Sequence, residues 1–228
     1  MLVTPDSPPM QRIPEPELMD EAAQARAYAE ADFSKPHQAF VERFRERFPG
    51  HQPRRVLDLG CGAADITIRF ARAYPESKLT GVDGAAAMLR LAREAVARAG
   101  LTQRIRLVET RLPESALPEH TFDTVISNSL LHHLADPQVL WNVCAEHAAP
   151  GAAVWAMDLR RPDSREQAGR LVREHAGAEP EILQRDFFNS LLAAYRPEEI
   201  AAQLARAGLA RFKVEAVGDR HVIVYGFF

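Results

Sequence analysis

The chain has 228 residues, 46% of them hydrophobic and 26% charged, with a formal net charge of -3. That balance fits one sizeable α/β domain and provides no overall field for a nucleic-acid backbone or an anionic membrane, so neither is an expected partner. Two cysteines, Cys61 and Cys144, cannot build a disulfide framework, and no apolar run approaches the roughly 20 residues that span a bilayer.

The opening MLVTPDSPPMQRIPEPE is proline-rich and polar, without the cationic then apolar order of a signal peptide. It reads as a frayed tail over residues 1–16, and the protein as cytoplasmic. From about Glu17 to Phe48 the pattern turns helical, giving an N-terminal helical cap over 17–52, and Phe40, Phe44 and Phe48 recur every four residues on one face. After Pro53, β-rich runs alternate with Ala/Leu/Arg helical ones, the pattern of parallel strands joined by crossover helices. Strands are expected at Arg55–Leu59, Lys78–Val82, Ile105–Glu109, Thr124–Ser127 and Ala153–Asp158.

Several helix ends carry their own chemistry. Asp136 caps a helix that starts at Pro137, places Leu140, Val143, Cys144 and His147 on one face, and stops at Pro150-Gly151. Ser164 and Gln167 form a capping box for a helix through about Glu174, and Pro197 to Ala207 is another helix, closed by Gly208. The last two β runs, RFKVEAV and HVIVYGFF, meet at Gly218-Asp219, so the final strand should enter the sheet antiparallel.

The stretch VLDLGCGAAD stops a strand at Gly60 and Gly62, where main chain stays bare for a ligand at a helix N-terminus. A dinucleotide-binding turn would place a third glycine where Asp65 stands. Asp58 and Asp65 would repel a pyrophosphate and suit a cationic ligand, and S-adenosylmethionine carries an ammonium and a sulfonium. Asp83, roughly 20 residues past the glycines at the end of the second strand, suits the hydroxyls of a ribose.

On these residues a resemblance becomes plain. VLDLGCGAAD, LTGVDGAAAML, FDTVISNSLLHHLADP and GAAVWAMDLRRP resemble the successive motifs of class I S-adenosylmethionine-dependent methyltransferases, in that family's order and spacing. The resemblance implies an α/β, Rossmann-like doubly wound seven-stranded sheet, mostly parallel with the last strand antiparallel, in a methyltransferase domain over 53–228. It implies S-adenosylmethionine as cofactor and S-adenosylhomocysteine as product. By the same likeness Gly60, Cys61 and Gly62 lie against the cofactor, Asp58 near its amino group and Asp83 on its ribose. Gly84 and Met88 flank the adenine, and Asn128, Ser129 and Leu130 line the methionine end. Two departures stand out: Thr110, Arg111 and Leu112 occupy the adenine region where the family often has an acid, and Gly84-Ala85-Ala86 replaces the usual Ser or Thr cap.

In-line methyl transfer asks the protein to align the partners and, where needed, to take a proton. His133 is the expected base or orienting group, since adjacent residues on a helical turn diverge by roughly 100° and only one of His132 and His133 should face the site. No Cys or His stands at ligand spacing from the pair, so no metal is expected. Cys61 also reads as a small buried apolar residue. Asp158 and Arg160 at the end of the fifth strand face the acceptor side, and an insertion at about 160–196 supplies a substrate lid with Phe187, Phe188, Asn189 and Tyr195 as its walls. Tyr28 and Phe33 resemble the lid residues that close over the methionine half. The acceptor is expected to be a small molecule. A methyltransferase of nucleic acid or protein, a nicotinamide-dependent oxidoreductase, a non-catalytic binder and aminocarboxypropyl transfer are the competing readings, and a homodimer stays open.

Overall fold

The computed structural model describes residues 10–15, 21–114, 117 and 121–228. The expected start of the first helix at Glu17 lies outside the described residues. Within them the cap is two helices, α1 (Ala22–Glu30) and α2 (Ser34–Arg47), separated where Asp32 accepts a hydrogen bond from the Ser34 N–H at 2.9 Å. That is helix-capping chemistry, and it re-aims the chain between the two.

The remaining elements alternate as the hydrophobic runs require: β1 (Arg55–Leu59), α3 (Asp65–Ala73), β2 (Lys78–Asp83), α4 (Ala86–Arg98), β3 (Ile105–Glu109) and β4 (Phe122–Asn128). A 3₁₀ turn at Leu131–His133 leads to α5 (Gln138–His147) and β5 (Ala148–Leu159), then α6 (Arg165–Ala176), α7 (Glu181–Ala193) and α8 (Pro197–Arg206). The chain closes with β6 (Lys213–Val217) and β7 (His221–Phe227). The seven strands run β3-β2-β1-β4-β5-β7-β6, and β7 pairs antiparallel with both neighbours while the other pairings are parallel. The expected reversal of the last strand is what the structure shows.

One boundary differs. Pro150-Gly151 does not end α5 but lies inside β5, because the β4–β5 register slips between the pairs Phe122–Ala148 and Thr124–Ala153. The slip makes room for a proline without a donor and for Gly151 at φ 79°. Asp136 does cap α5, accepting from the Gln138 N–H at 2.9 Å, and Ser164 caps α6, accepting from Gln167 N.

Alternating strand residues feed two cores. On one face α2, α3 and α4 pack over Val56, Ile126, Trp155 and Ile223; on the other α5 and α8 pack over Leu57, Leu59, Val125 and Val224. The aromatic stripe of α2 is the centre of the first core. Phe44 meets Phe70 at 4.9 Å, Tyr74 at 5.8 Å and Trp155 at 6.3 Å between ring centroids, and Phe40 meets Trp155 at 5.7 Å. So α2 is part of the helical layer that covers this face of the sheet. Helices α6 and α7 fill the β5-to-α8 connection and pack on each other through Leu171, Val172, Leu191 and Leu192. No helix of the described residues is long and apolar enough to cross a membrane.

Phe44→Ala should remove a fully buried ring from this cluster and lower unfolding stability by about 3–5 kcal/mol. Urea denaturation followed by far-UV circular dichroism measures it; a loss below about 1 kcal/mol would contradict the central place of the stripe.

Candidate active site

The carboxyl ends of β1, β2, β4 and β5 meet at one edge of the sheet, where open α/β sheets bind their ligands. A cavity of about 420 Å³ lined by Arg45, His51, Arg54 and Glu76 lies at the opposite edge, by the strands' amino ends, and holds none of the expected site residues.

At the carboxyl edge, the turn after β1 is shaped by main chain. Gly60, Gly62 and Ala64 all have positive φ, at 72°, 51° and 68°. Gly60 and Cys61 both donate to the Val82 carbonyl at 2.9 Å. Asp83 completes the clamp: one carboxylate oxygen accepts from the Gly62 N–H at 2.8 Å and the other from the Ala85 N–H at 2.8 Å. The same side chain therefore fixes the glycine turn and pins the turn that leads into α4. A Cβ at Gly60 would stand 2.9 Å from Leu130 Cδ1, so this glycine is demanded by φ and by a neighbouring side chain. Gly81, not singled out in the sequence, serves the same turn from below: a Cβ there would lie 3.0 Å from Cys61 Sγ. Cys61 is buried against the core, and burial, then Asp58 and Asp83, push its thiol well up, so only its main chain can meet a ligand.

The acids of the turn divide their work. Asp58 is 1% exposed, accepts from Thr67 Oγ1 at 2.6 Å, and burial in the company of Asp83 pushes its carboxyl up to about 7. Asp65, expected to face the cofactor, is instead engaged by protein. Burial opposes its charge, but His37 Nδ1 at 2.6 Å and Arg69 Nε at 2.7 Å outweigh it and hold the carboxyl at about 2. Asp65 thus locks α2 to α3.

Beyond the Asp83 turn, Met88 is 4% exposed and packs with Ala25 and Tyr28 of α1, which closes α1 over α4. Gly84 lies in the turn that Asp83 pins. Thr110 donates its N–H to the Asp83 carbonyl at 3.0 Å and its hydroxyl to the Glu114 carbonyl, Arg111 is exposed, and Leu112 packs against the second core. The region offers main chain in place of an acid. Tyr28 stacks near Phe33 at 4.8 Å, and burial, then the charges of Asp65, Asp158 and Asp83, push its hydroxyl up to about 12. Three carboxylates from three elements thus act on that one hydroxyl.

At the end of β4, Ser129 has φ 55° and donates its N–H to the Met157 carbonyl at 2.9 Å. Asn128 donates to Ser129 Oγ at 3.2 Å, while its own Oδ1 is buried with no hydrogen-bond partner among the described residues. A buried bare acceptor is costly. Together with the buried Asp58 it fits a ligand that brings N–H donors and positive charge, so the donor set matches S-adenosylmethionine.

The two histidines depart from expectation. They sit on a 3₁₀ turn and their rings lie side by side, 4.2 Å apart at 36°, so both face the same way. His132 Nδ1 is 2.5 Å from Asp158 Oδ1, and Glu15 Oε1 lies 3.4 Å from His132 Nε2 and 3.3 Å from His133 Nδ1. Burial alone would favour neutral His132, but Asp158 and Glu15 win and raise its pKa; burial likewise raises Glu15. Asp158 also accepts from the Leu131 and Leu159 N–H groups, so it orients His132 and does not itself face an acceptor.

Glu15 overturns a further expectation. Residues 10–15, placed by sequence in a frayed tail, are docked: Ile13 donates to the Leu192 carbonyl, and Arg12 donates to the carbonyls of Ala193, His132 and Leu134 while its guanidinium lies 4.2 Å over the Tyr195 ring. Tyr195 is consequently a buried platform for Arg12. Arg160 turns to the β6–β7 hairpin, donating to the Asp219 carbonyl at 3.1 Å, Phe188 packs within the α6–α7 pair beneath Arg165, and Asn189 is on the exposed side of α7. The face that α7 turns toward the site carries Asp186, which accepts from Gln24 of α1 at 2.8 Å, and Ser190, which donates to Glu15 at 2.9 Å. Helical spacing of four joins those two, but the rings of the same helix drew the sequence reading away.

Asp83→Ala should leave the Gly62 and Ala85 N–H groups without acceptors and cost about 1–3 kcal/mol. Thermal unfolding without ligand reads this directly; an unchanged Tm would show that the turn holds its shape without the clamp.

A family model described as a methyltransferase domain matches residues 56–151. The chain is 31% identical over 131 residues to trans-aconitate 2-methyltransferase of Delftia acidovorans, covering 57% of this chain and 46% of that protein. It is 28% identical over 158 residues to the ubiquinone biosynthesis O-methyltransferase of Xylella fastidiosa, covering 68% and 60%. The chain thus spans about half the length of such curated relatives. Among solved structures, a SAM-dependent methyltransferase from Aquifex aeolicus superposes with TM-score 0.67 at 20% identity over 91% of this chain and 98% of that one. The Haemonchus contortus phosphoethanolamine N-methyltransferase 2, solved with phosphomonomethylethanolamine and S-adenosylhomocysteine, superposes with TM-score 0.65 at 19% identity over 85% and 43%. Residues 56–151 thus match a methyltransferase domain, and the fold of the chain is shared with solved S-adenosylmethionine-dependent methyltransferases.

Proposed function

We propose that this chain moves the methyl group of S-adenosylmethionine to a small-molecule acceptor seated beside Glu15, His132 and His133. The observation that carries the reading is the convergence of Asp83, Asp58 and the bare Asn128 Oδ1 on one crevice. When bound, S-adenosylmethionine supplies an electrophilic methyl carbon on a sulfonium. The bare main chain at Gly60 and Gly62 admits the ligand closely, Asp83 accepts from its ribose, and Asp58 with Asn128 accepts from its ammonium. Gly84, Met88, Thr110 and Leu112 bound the adenine side, and Tyr28 excludes water over the methionine end. Residues 53–228 are the catalytic unit, covered by α1 and by α7.

The acceptor side is walled by Glu15, His133, Asp186 and Ser190, and His132, held by Asp158, is placed to orient an acceptor atom. Relatives named for trans-aconitate and for ubiquinone biosynthesis support a small acceptor. Release of S-adenosylhomocysteine across a panel of carboxylic acids, phenols and amines tests the reading. Release with one acceptor class is expected; binding of the cofactor with no release from any would favour a non-catalytic binder.

The raised Asp58 carboxyl gives a pH signature. The folded pKa, at about 7, exceeds the unfolded one, so the protonated acid favours the fold, a contribution complete below the unfolded value and lost as pH climbs through about 7. A cationic ligand favours the ionised acid. Calorimetry with S-adenosylmethionine should therefore show affinity rising by up to about tenfold per pH unit toward pH 7, with proton release, and levelling above it. Asp58→Asn should flatten the profile and weaken binding; a flat profile in the unmodified protein would remove Asp58 from the ammonium site.

A further inference from the structure

Glu15, His132 and His133 bring three metal-ligand atoms to one point from distant parts of the sequence. Glu15 Oε1 stands 3.4 Å from His132 Nε2 and 3.3 Å from His133 Nδ1, and all three atoms lie within 4.8 Å of one another. These separations exceed the ordinary 2.7–3.2 Å of an N–H···O hydrogen bond. They match ligand spacing instead. Ligands about 2.0–2.2 Å from a tetrahedral zinc stand roughly 3.3–3.6 Å apart, whereas ligands about 2.1 Å from an octahedral magnesium stand about 3.0 Å apart.

The surroundings are those of a built site. His132 Nδ1 is engaged by Asp158 at 2.5 Å, which turns Nε2 toward Glu15, the carboxylate-histidine arrangement that orients metal ligands. Ser190 fixes the glutamate by donating to its Oε1 at 2.9 Å. The three side chains are 11%, 2% and 14% exposed, so water competes weakly while one side stays open. Asp186 adds negative potential at Glu15, and Arg12, whose charge reaches His132, is already tied to three carbonyls. A second trio, Glu174, His175 and Asp219, is exposed, and the Arg220 guanidinium stands 2.9–3.0 Å from both ring nitrogens of His175, where a cation would have to sit.

We infer that Glu15, His132 and His133 form a divalent-cation site of the zinc type, with Asp158 and Ser190 as positioning residues and a fourth coordination position open toward the crevice. Given the methyl transfer proposed above, the open position selects acceptors that present an oxygen ligand, such as a carboxylate or phenolate, over amines.

The chelator-stripped full chain is titrated with cobalt(II), zinc and magnesium, without cofactor or acceptor. One cobalt per chain is expected, with the visible absorption of a four-coordinate ion, displaced by zinc and not by equimolar magnesium. Glu15→Gln and His133→Asn should each weaken zinc binding by at least about 100-fold, and Asp158→Asn by about 10–100-fold with the cobalt spectrum retained. His175→Ala should bind as the unmodified protein does. Circular dichroism and S-adenosylmethionine affinity establish that each variant is folded. The site is refuted if the stripped protein takes up no stoichiometric cobalt or zinc, or if folded Glu15→Gln and His133→Asn bind as tightly as the original. Because the titration needs no acceptor, its failure leaves methyl transfer standing, and a failed acceptor screen leaves the cation site standing.

Discussion

The two carboxylate oxygens of Asp83 hold the crevice open in one shape. One draws in the Gly62 N–H and the other the Ala85 N–H, so the turn after β1 and the turn after β2 share a single anchor. The anchor works because β1 and β2 are parallel neighbours, which brings both turns to the same edge. It also explains why glycine recurs there. Positive φ at Gly60 and Gly62 lets the main chain fold back to Asp83, and the bare Gly81 of β2 lets Cys61 pack down beneath it.

Charge in this crevice is governed by burial. Asp58 lies where water cannot stabilise an ion, so its proton is released most readily when a cation arrives. Asp65, seven residues away on the far side of the turn, has the opposite fate, since His37 and Arg69 supply the charge that burial withholds. Two acids of one motif thus diverge, one pushed up by burial and the other held down by the partners through which it locks α2 to α3. The difference lies in the partners that packing gives each of them.

The cluster around the two histidines is assembled from pieces far apart in sequence. The 3₁₀ turn after β4 provides the histidines, the end of β5 provides Asp158, α7 provides Ser190 and Asp186, and the segment at 10–15 provides Glu15. Arg12 fastens that last segment through main-chain carbonyls on both the 3₁₀ turn and α7. The side chains around the histidines are therefore only as well placed as this docking, which couples the N-terminal residues to the sheet edge. Arg161, buried between Met10, Ala194 and Glu199, holds the same seam from beneath.

What the residues determined by themselves was whatever depends on neighbours a few positions away. The strands at Arg55–Leu59 and Ile105–Glu109, the capped starts of α5 and α6, the glycine turn and the terminal hairpin all rest on local backbone preference and hydrophobic period, and they stand where the text placed them. The positions of Asp58 and Asp83 were legible for the same reason, each being fixed to the end of a strand. Only the tertiary structure decided which side chains meet across distant parts of the chain. Glu15 reaches the histidines across more than a hundred residues, Asp65 is claimed by His37 of another helix, and Tyr195 is buried beneath Arg12, because such pairings come from the packing of elements whose separation along the chain carries no signal of their closeness in space.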